Sequence, residues 1–226
     1  MSNPPAIGIL ELGEEQCPVA VIDGFARHPD RWRDEAQGGD YAFRGDFYPG
    51  RRKHVGADYF ADVGMRLGAI LQSVFGCSKS LHVERALYSI VSLDPSSLSL
   101  AQRFPHIDDL APHAFAMVHY LSQRPFGGTA FYRHRKTGYS RISQARHPEY
   151  LAALERDLAA DAGNSAGYIQ GHTDAFEQIG HVDFAYNRAV IYPGNLLHCS
   201  IVPPAIEHPD DPLQGRLTIA GFFNAE

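Results

Sequence analysis

A mainly β chain with a helical flank, built as a sandwich or closed barrel, is what the sequence predicts. Three observations carry that prediction. Most apolar runs are short and rich in β-branched or aromatic residues. Glycine and proline separate them, at Pro125, Gly127-Gly128, Pro193-Gly194, Pro203-Pro204 and Gly215. Segments with a helical period are few and gather mostly in the first third of the chain.

In chain order, residues 19–23 read as a strand closed by Gly24. A short helix follows His28-Pro29-Asp30 and runs to about Ala36. Residues 38–56 are polar, basic and glycine-rich, and read as a loop. Residues 58–75 form the clearest helix. Phe60, Val63, Leu67, Ile70, Leu71, Val74 and Phe75 recur at three- and four-residue intervals and share one face. Strands are expected at 83–93, 114–122, 128–134, 189–192, 196–202 and 217–224. A second long helix, 148–160, opens on Pro148, stops before Gly163 and carries Leu151, Leu154 and Leu158 on one stripe. There is no repeat and no Gly/Ser-rich linker. Residues 1–226 are therefore expected to form one domain, with 1–82 as strand and helical flank and 83–226 as the core.

Composition narrows the function. With 20 Lys+Arg against 26 Asp+Glu, the net charge is −6. That argues against nucleic acid or an anionic membrane surface as the main partner. Cys17, Cys77 and Cys199 form no metal-binding spacing and are odd in number, which fits a reducing cytoplasm. Residues 1–12 lack the basic and apolar regions of a signal peptide, and no apolar run is long enough to span a bilayer. There is no phosphate-binding glycine loop and no nucleophile elbow, so nucleotide binding and Ser-His-Asp hydrolysis are not expected.

Twelve histidines direct attention to metal chemistry. On an extended chain, residues two apart point to the same side, so a His-x-Asp pair can grip one ion. Three such pairs occur: His106-Ile107-Asp108, His172-Thr173-Asp174 and His181-Val182-Asp183. A non-haem Fe(II) oxygenase site needs a third ligand on a later strand and leaves positions open. His198, in the otherwise apolar Leu196-Leu197-His198-Cys199, is the best candidate. In a double-stranded β-helix the two ligand strands are distant in sequence and adjacent in space. Asp108 lies 90 residues before His198, whereas Asp174 and Asp183 lie 24 and 15 before it, which favours His106 and Asp108. A second feature is Gly215-Arg216-Leu217-Thr218, which opens the last apolar run. Arg216 and Thr218 share a strand face, and a buried guanidinium there wants an anion such as the far carboxylate of a dicarboxylate.

The set Pro105-His106-Ile107-Asp108, Met117-Val118-His119-Tyr120-Leu121-Ser122, Gly127-Gly128-Thr129-Ala130-Phe131, Asn187-Arg188-Ala189-Val190-Ile191-Tyr192-Pro193-Gly194 with Leu197-His198, and Arg216-Leu217-Thr218 resembles the Fe(II)/2-oxoglutarate-dependent dioxygenases. The likeness is greatest to their prolyl-hydroxylase-like branch, and within it to an uncharacterised bacterial family. Val19-Ala20-Val21-Ile22-Asp23-Gly24-Phe25 is similar to the opening strand of that branch. The resemblance implies a double-stranded β-helix (jelly-roll) core from about residue 83 to the C-terminus. It implies Fe(II) held by His106, Asp108 and His198. It implies 2-oxoglutarate held at its distal carboxylate by Arg216, with Thr218 assisting and Tyr120 in contact. Arginine stands where prolyl hydroxylases proper usually have lysine, and the gap from His198 to Arg216 is longer than usual there.

The expected activity is therefore hydroxylation of a small-molecule or peptidyl substrate in the cytoplasm. Two rivals share the fold: a cupin-like metalloprotein that does not need Arg216, and a non-catalytic ligand-binding relative. The basic stretch from Arg133-His134-Arg135-Lys136 to Arg146 either draws an anionic substrate or is a solvated hairpin. Arg51-Arg52-Lys53-His54 is a candidate substrate lid, and Arg103 a candidate site residue. His113 and His119 read as structural or exposed. Oligomeric state is not legible.

Overall fold

A computed structural model describes residues 6–43, 47–161, 167–204, 207 and 209–226. Eleven strands and four α-helices are present among them. The strands are β1 (Ile7–Leu12), β2 (Cys17–Ile22), β3 (Ala42–Phe43), β4 (Gly50–His54), β5 (Leu81–Val91), β6 (Ala114–Tyr120), β7 (Thr129–His134), β8 (Phe176–Val182), β9 (Ala189–Pro193), β10 (His198–Ser200) and β11 (Arg216–Ala225). The helices are α1 (Pro29–Ala36), α2 (Asp58–Phe75), α3 (Leu100–Arg103) and α4 (His147–Asp161). The major sheet has the order β1-β2-β9-β6-β11-β5-β4-β3, and the minor sheet β10-β7-β8. All pairings are antiparallel.

The alternation of each strand sorts its side chains between layers. One face of the major sheet presents Tyr88, Ile90, Met117, Ile191, Leu217 and Ile219 to α1 and α2. From α2 come Tyr59, Val63, Leu67, Ile70 and Leu71, all essentially buried. The helix ends in a Schellman-type turn: Gly76 adopts φ 75°, and the amides of Gly76 and Cys77 return to the carbonyls of Gln72 and Leu71. Trp32 of α1 donates to Asp62 of α2 at 2.8 Å, tying the two helices together.

The opposite face of the major sheet meets the minor sheet through Ala116, Tyr120, Val190 and Tyr192 against Phe131 and Val182. The far face of the minor sheet, with Ala130, Tyr132 and Cys199, is covered by α4 through Tyr150, Leu154 and Leu158. The helix therefore buries the Tyr150 row; Leu151, expected on that stripe, is 41% exposed. A step of one residue turns a side chain about 100° around the axis, which moves Leu151 off the packed face. All three cysteines are free, and burial pushes the Cys17 thiol up to about 11.

Several elements depart from expectation. Residues 38–56, read as a loop, hold β3 and β4, which form an edge of the major sheet. The apolar alternation that announces a strand is missing from Gly50–His54 because its side chains do polar work instead. Lys53 reaches back to the Glu35 and Ala36 carbonyls at 2.8 and 3.4 Å, satisfying the C-terminus of α1. Strands β1 and β8 were not expected at all. The strand expected over 196–202 is limited to His198–Ser200. No helix among the described residues is long and apolar enough to cross a membrane.

Candidate metal centre

Backbone pairing explains why one His-x-Asp pair meets a histidine 90 residues later. His106 and His198 form a reciprocal antiparallel bridge, each amide donating to the other's carbonyl at 3.0 Å. The Asp108 amide then donates to Gly194 at 2.8 Å, in the turn between β9 and β10. The motif thus lies against β10 and the turn before it through a single bridge, and an extended step of two turns both side chains to the same side. His106 Nε2 lies 4.0 Å from Asp108 Oδ1, and His198 Nε2 lies 3.4 Å from Asp108 Oδ2. Ligand atoms of the three residues all fall within 4.8 Å of one another.

The donor set is prepared for a cation. His198 Nδ1 donates to the Leu196 carbonyl at 2.8 Å, which leaves Nε2 as the free lone pair facing the centre. Burial, reinforced by the nearby His198 and Arg52, holds His106 well below the usual imidazole range, so it is a neutral donor at pH 7. Burial raises the Asp108 carboxyl, against the pull of His198 and Arg52. Two imidazoles and one carboxylate on one side of a cavity form the facial pattern that first-row divalent iron accepts with positions left open.

The other two His-x-Asp pairs do not converge on a third donor. His181 and Asp183 are 3.5 Å apart but half or more exposed. His172 accepts from the Gln178 amide at 3.2 Å. Among the described residues, His106, Asp108 and His198 are the one three-donor cluster.

The same cavity, about 480 Å³ including its open mouth, is lined by these three residues and by Arg216, Thr218, Tyr48 and Arg52. Arg216 is 1% exposed. Its Nη2 donates to the Gly128 carbonyl at 2.9 Å, its Nε is buried with no hydrogen bond, and no carboxylate lies within ion-pair distance among the described residues. Gly128 is required where it stands, because a Cβ there would sit 1.8 Å from the Val182 carbonyl oxygen. Register places Thr218 opposite Ser89 on one side and Tyr120 on the other.

Tyr120 is not part of the cavity lining. It lies behind Arg216, whose guanidinium carbon is 5.8 Å from its ring centre, and its hydroxyl is 2.6 Å from Thr129 Oγ1. Tyr48, which nothing in the sequence marked, lines the cavity in its place. Its hydroxyl lies against Thr218 and Ser89, and it closes no well-formed hydrogen bond. An unpartnered phenol and an unpartnered guanidinium nitrogen in one cavity fit the far carboxylate of a dicarboxylate.

In the basic stretch, Arg133 pairs with Glu177 and Glu14, Lys136 with Asp157, and Arg146 with Glu15; none lines the cavity. Arg103 bonds the Leu98 carbonyl and is likewise outside the lining. His119 is buried and structural, set between Tyr59 Oη and Asn187 Oδ1 at 3.0 Å each.

A family model described as a family of unknown function, DUF6445, matches residues 3–223. No curated protein matches the chain. Among solved structures, HygX from Streptomyces hygroscopicus with nickel and 2-oxoglutarate bound is 16% identical, covers 91% of this chain and 82% of its own, and has a TM-score of 0.50. The HygX complex that also holds hygromycin B is 17% identical, with the same coverages and a TM-score of 0.50. An N-substituted L-amino acid dioxygenase from Burkholderia ambifaria AMMD is 13% identical, covers 97% of this chain and 93% of its own, and has a TM-score of 0.41. At such identities the likeness shows the fold. The chain shares a jelly-roll fold with HygX.

Proposed function

Because the chain belongs to the DUF6445 family, whose function is unknown, we propose its activity from the site itself: a 2-oxoglutarate-dependent Fe(II) oxygenase that hydroxylates a small molecule. One observation carries the reading. Three convergent donors and a buried guanidinium with no acidic partner among the described residues line the same cavity. The likeness in fold to a protein solved with nickel and 2-oxoglutarate is consistent with it.

His106, Asp108 and His198 would hold the iron. When bound, iron couples the oxidative decarboxylation of 2-oxoglutarate by dioxygen, giving succinate and carbon dioxide, to oxygen insertion into a substrate C–H bond. Every other role falls to the protein. Arg216 and the hydroxyls of Thr218 and Tyr48 receive the distal carboxylate, which sets the orientation of the co-substrate. The His198–Leu196 hydrogen bond keeps the imidazole in one tautomer and one plane. Ala116, Val118, Ala220 and Phe222 give the cavity an apolar wall that limits water around the reacting groups. The rival cupin-like reading leaves Arg216 a buried charge with nothing to bind.

The test is succinate formation from 2-oxoglutarate by the Fe(II)-supplied protein with a pool of small metabolites. Turnover is expected in the wild type and absent in His106→Ala with the circular dichroism spectrum retained. Metal binding without any binding of 2-oxoglutarate would overturn the reading in favour of the cupin-like one.

A further inference from the structure

Strand β4 carries three consecutive basic side chains, and two of them are occupied. Arg51 pairs with Asp210 at 2.6 Å, and Lys53 bonds carbonyls at the end of α1. Arg52 points the other way, into the cavity that holds His106, Asp108 and His198. Its Nε is buried and unpartnered, and among the described residues no carboxylate lies within ion-pair distance of it. The guanidinium carbon sits 3.9 Å over the Tyr48 ring. Stacking holds the plane by its face and leaves the N–H edge free for a planar or tetrahedral anion.

Charge counting shows that this cation is surplus. Asp108, Arg216, a divalent metal and a dicarboxylate together carry no net charge. Arg52 adds one positive charge in a partly desolvated place, which is unfavourable unless an anion joins it. Exposed Arg85, whose guanidinium carbon lies 4.2 Å over the ring of cavity-lining Phe222, adds positive potential near Arg52. Apolar surface lies beside it: Ala220 and Phe222 line the cavity, and the largely exposed Phe47 stacks 6.1 Å from the His106 ring.

We infer that Arg52 is a specificity-determining residue that pairs with an oxyanion on the prime substrate, so that the enzyme acts on a small anionic molecule with an apolar body. This rests on the oxygenase reading of the same site. A carboxylate and a phosphate offer the same bidentate edge to a guanidinium, and the probes below separate them.

The experiment titrates the protein loaded with Ni(II) and 2-oxoglutarate with benzoate, phenyl phosphate and benzamide, by calorimetry. At least one anion is expected to bind about tenfold or more tighter than benzamide, and whichever is tighter assigns the group as carboxylate or phosphate. Arg52→Gln should bring that anion to the benzamide level, and Arg52→Lys should restore part of it. In Arg52→Gln the dissociation constant for 2-oxoglutarate should stay within about threefold, whereas Arg216→Gln should raise it about tenfold or more. Equal binding of the three probes, or anion binding untouched by Arg52→Gln, overturns the inference. So does a loss of 2-oxoglutarate affinity in Arg52→Gln, which would make Arg52 the co-substrate anchor. Failure of the wild type to bind 2-oxoglutarate sinks the oxygenase reading, while the same titrations on the metal-free protein still decide whether Arg52 is an anion site.

Discussion

Arg216 is the residue whose burial is hardest to explain without a ligand. Its side chain is among the largest fully buried ones, and it spends one donor on the Gly128 carbonyl while leaving Nε unsatisfied. Charge-assisted hydrogen bonds contribute about 1.5–3 kcal/mol, so Arg216→Gln should weaken 2-oxoglutarate binding about 10- to 100-fold, read by calorimetry. His119 makes a different prediction, about stability. Burial, only partly offset by Asn187, lowers its pKa to about 4. In the unfolded chain it titrates near about 6.5. Between these values the unfolded state holds the extra proton, so stability is full above about pH 6.5 and is lost as pH falls toward 4. The loss attributable to this group is about 3 kcal/mol, and urea midpoints measured from pH 7 to 4 should fall less steeply in His119→Gln.

The candidate site residues were legible because local patterns mark them. The His-x-Asp pair and the Arg-x-Thr pair each sit where a period of two puts them on one face, and His198 stands out in an apolar run. Tyr48 and Arg52 were not singled out for such roles. Their surroundings come from other strands, with Ser89 of β5 opposite Arg52 and Thr218 of β11 beside Tyr48, and no local pattern records such a juxtaposition. Arg52 stood only as one of four residues in a candidate lid; the structure separates it from its neighbours by the face it takes.

At the scale of elements, α2 was legible to its ends, since seven apolar positions share a face and Gly76 marks the stop. Leu67→Ala should cost about 2–5 kcal/mol, measured by denaturant unfolding, because a fully buried leucine leaves a cavity between α2 and the sheet. Strand β4 was illegible for the opposite reason: both of its faces are polar, one serving a helix end and the other the cavity. β7 makes the sharper test of how elements position the site. Gly128→Ala would drive a methyl group into the Val182 carbonyl and displace the oxygen that holds Arg216. The expected outcome is a lower melting temperature together with weaker 2-oxoglutarate binding, while Ala116→Gly, on the apolar wall, should leave the second unchanged within about threefold.

For the whole molecule, the candidate metal centre joins an irregular segment, residues 106–108, to β10, far apart in sequence. A cation bound only by the folded state stabilises it by about 2.7 kcal/mol at a hundred times its dissociation constant. For a chain of this size that is roughly a 5–10 °C rise in melting temperature. Ni(II) should produce that rise in the wild type and none in His198→Ala. The jelly roll itself followed from the resemblance more than from periodicity, because strand order is set by long-range pairing that no window of sequence contains.

The most direct measurement is an anaerobic titration of the protein with Fe(II) and then 2-oxoglutarate, followed by visible absorption. The expected result is one iron per chain, a weak charge-transfer band that develops only when 2-oxoglutarate is added, and no band in His106→Ala or His198→Ala. Iron binding that persists unchanged in both variants, or a wild type that develops no band with iron bound, would contradict it.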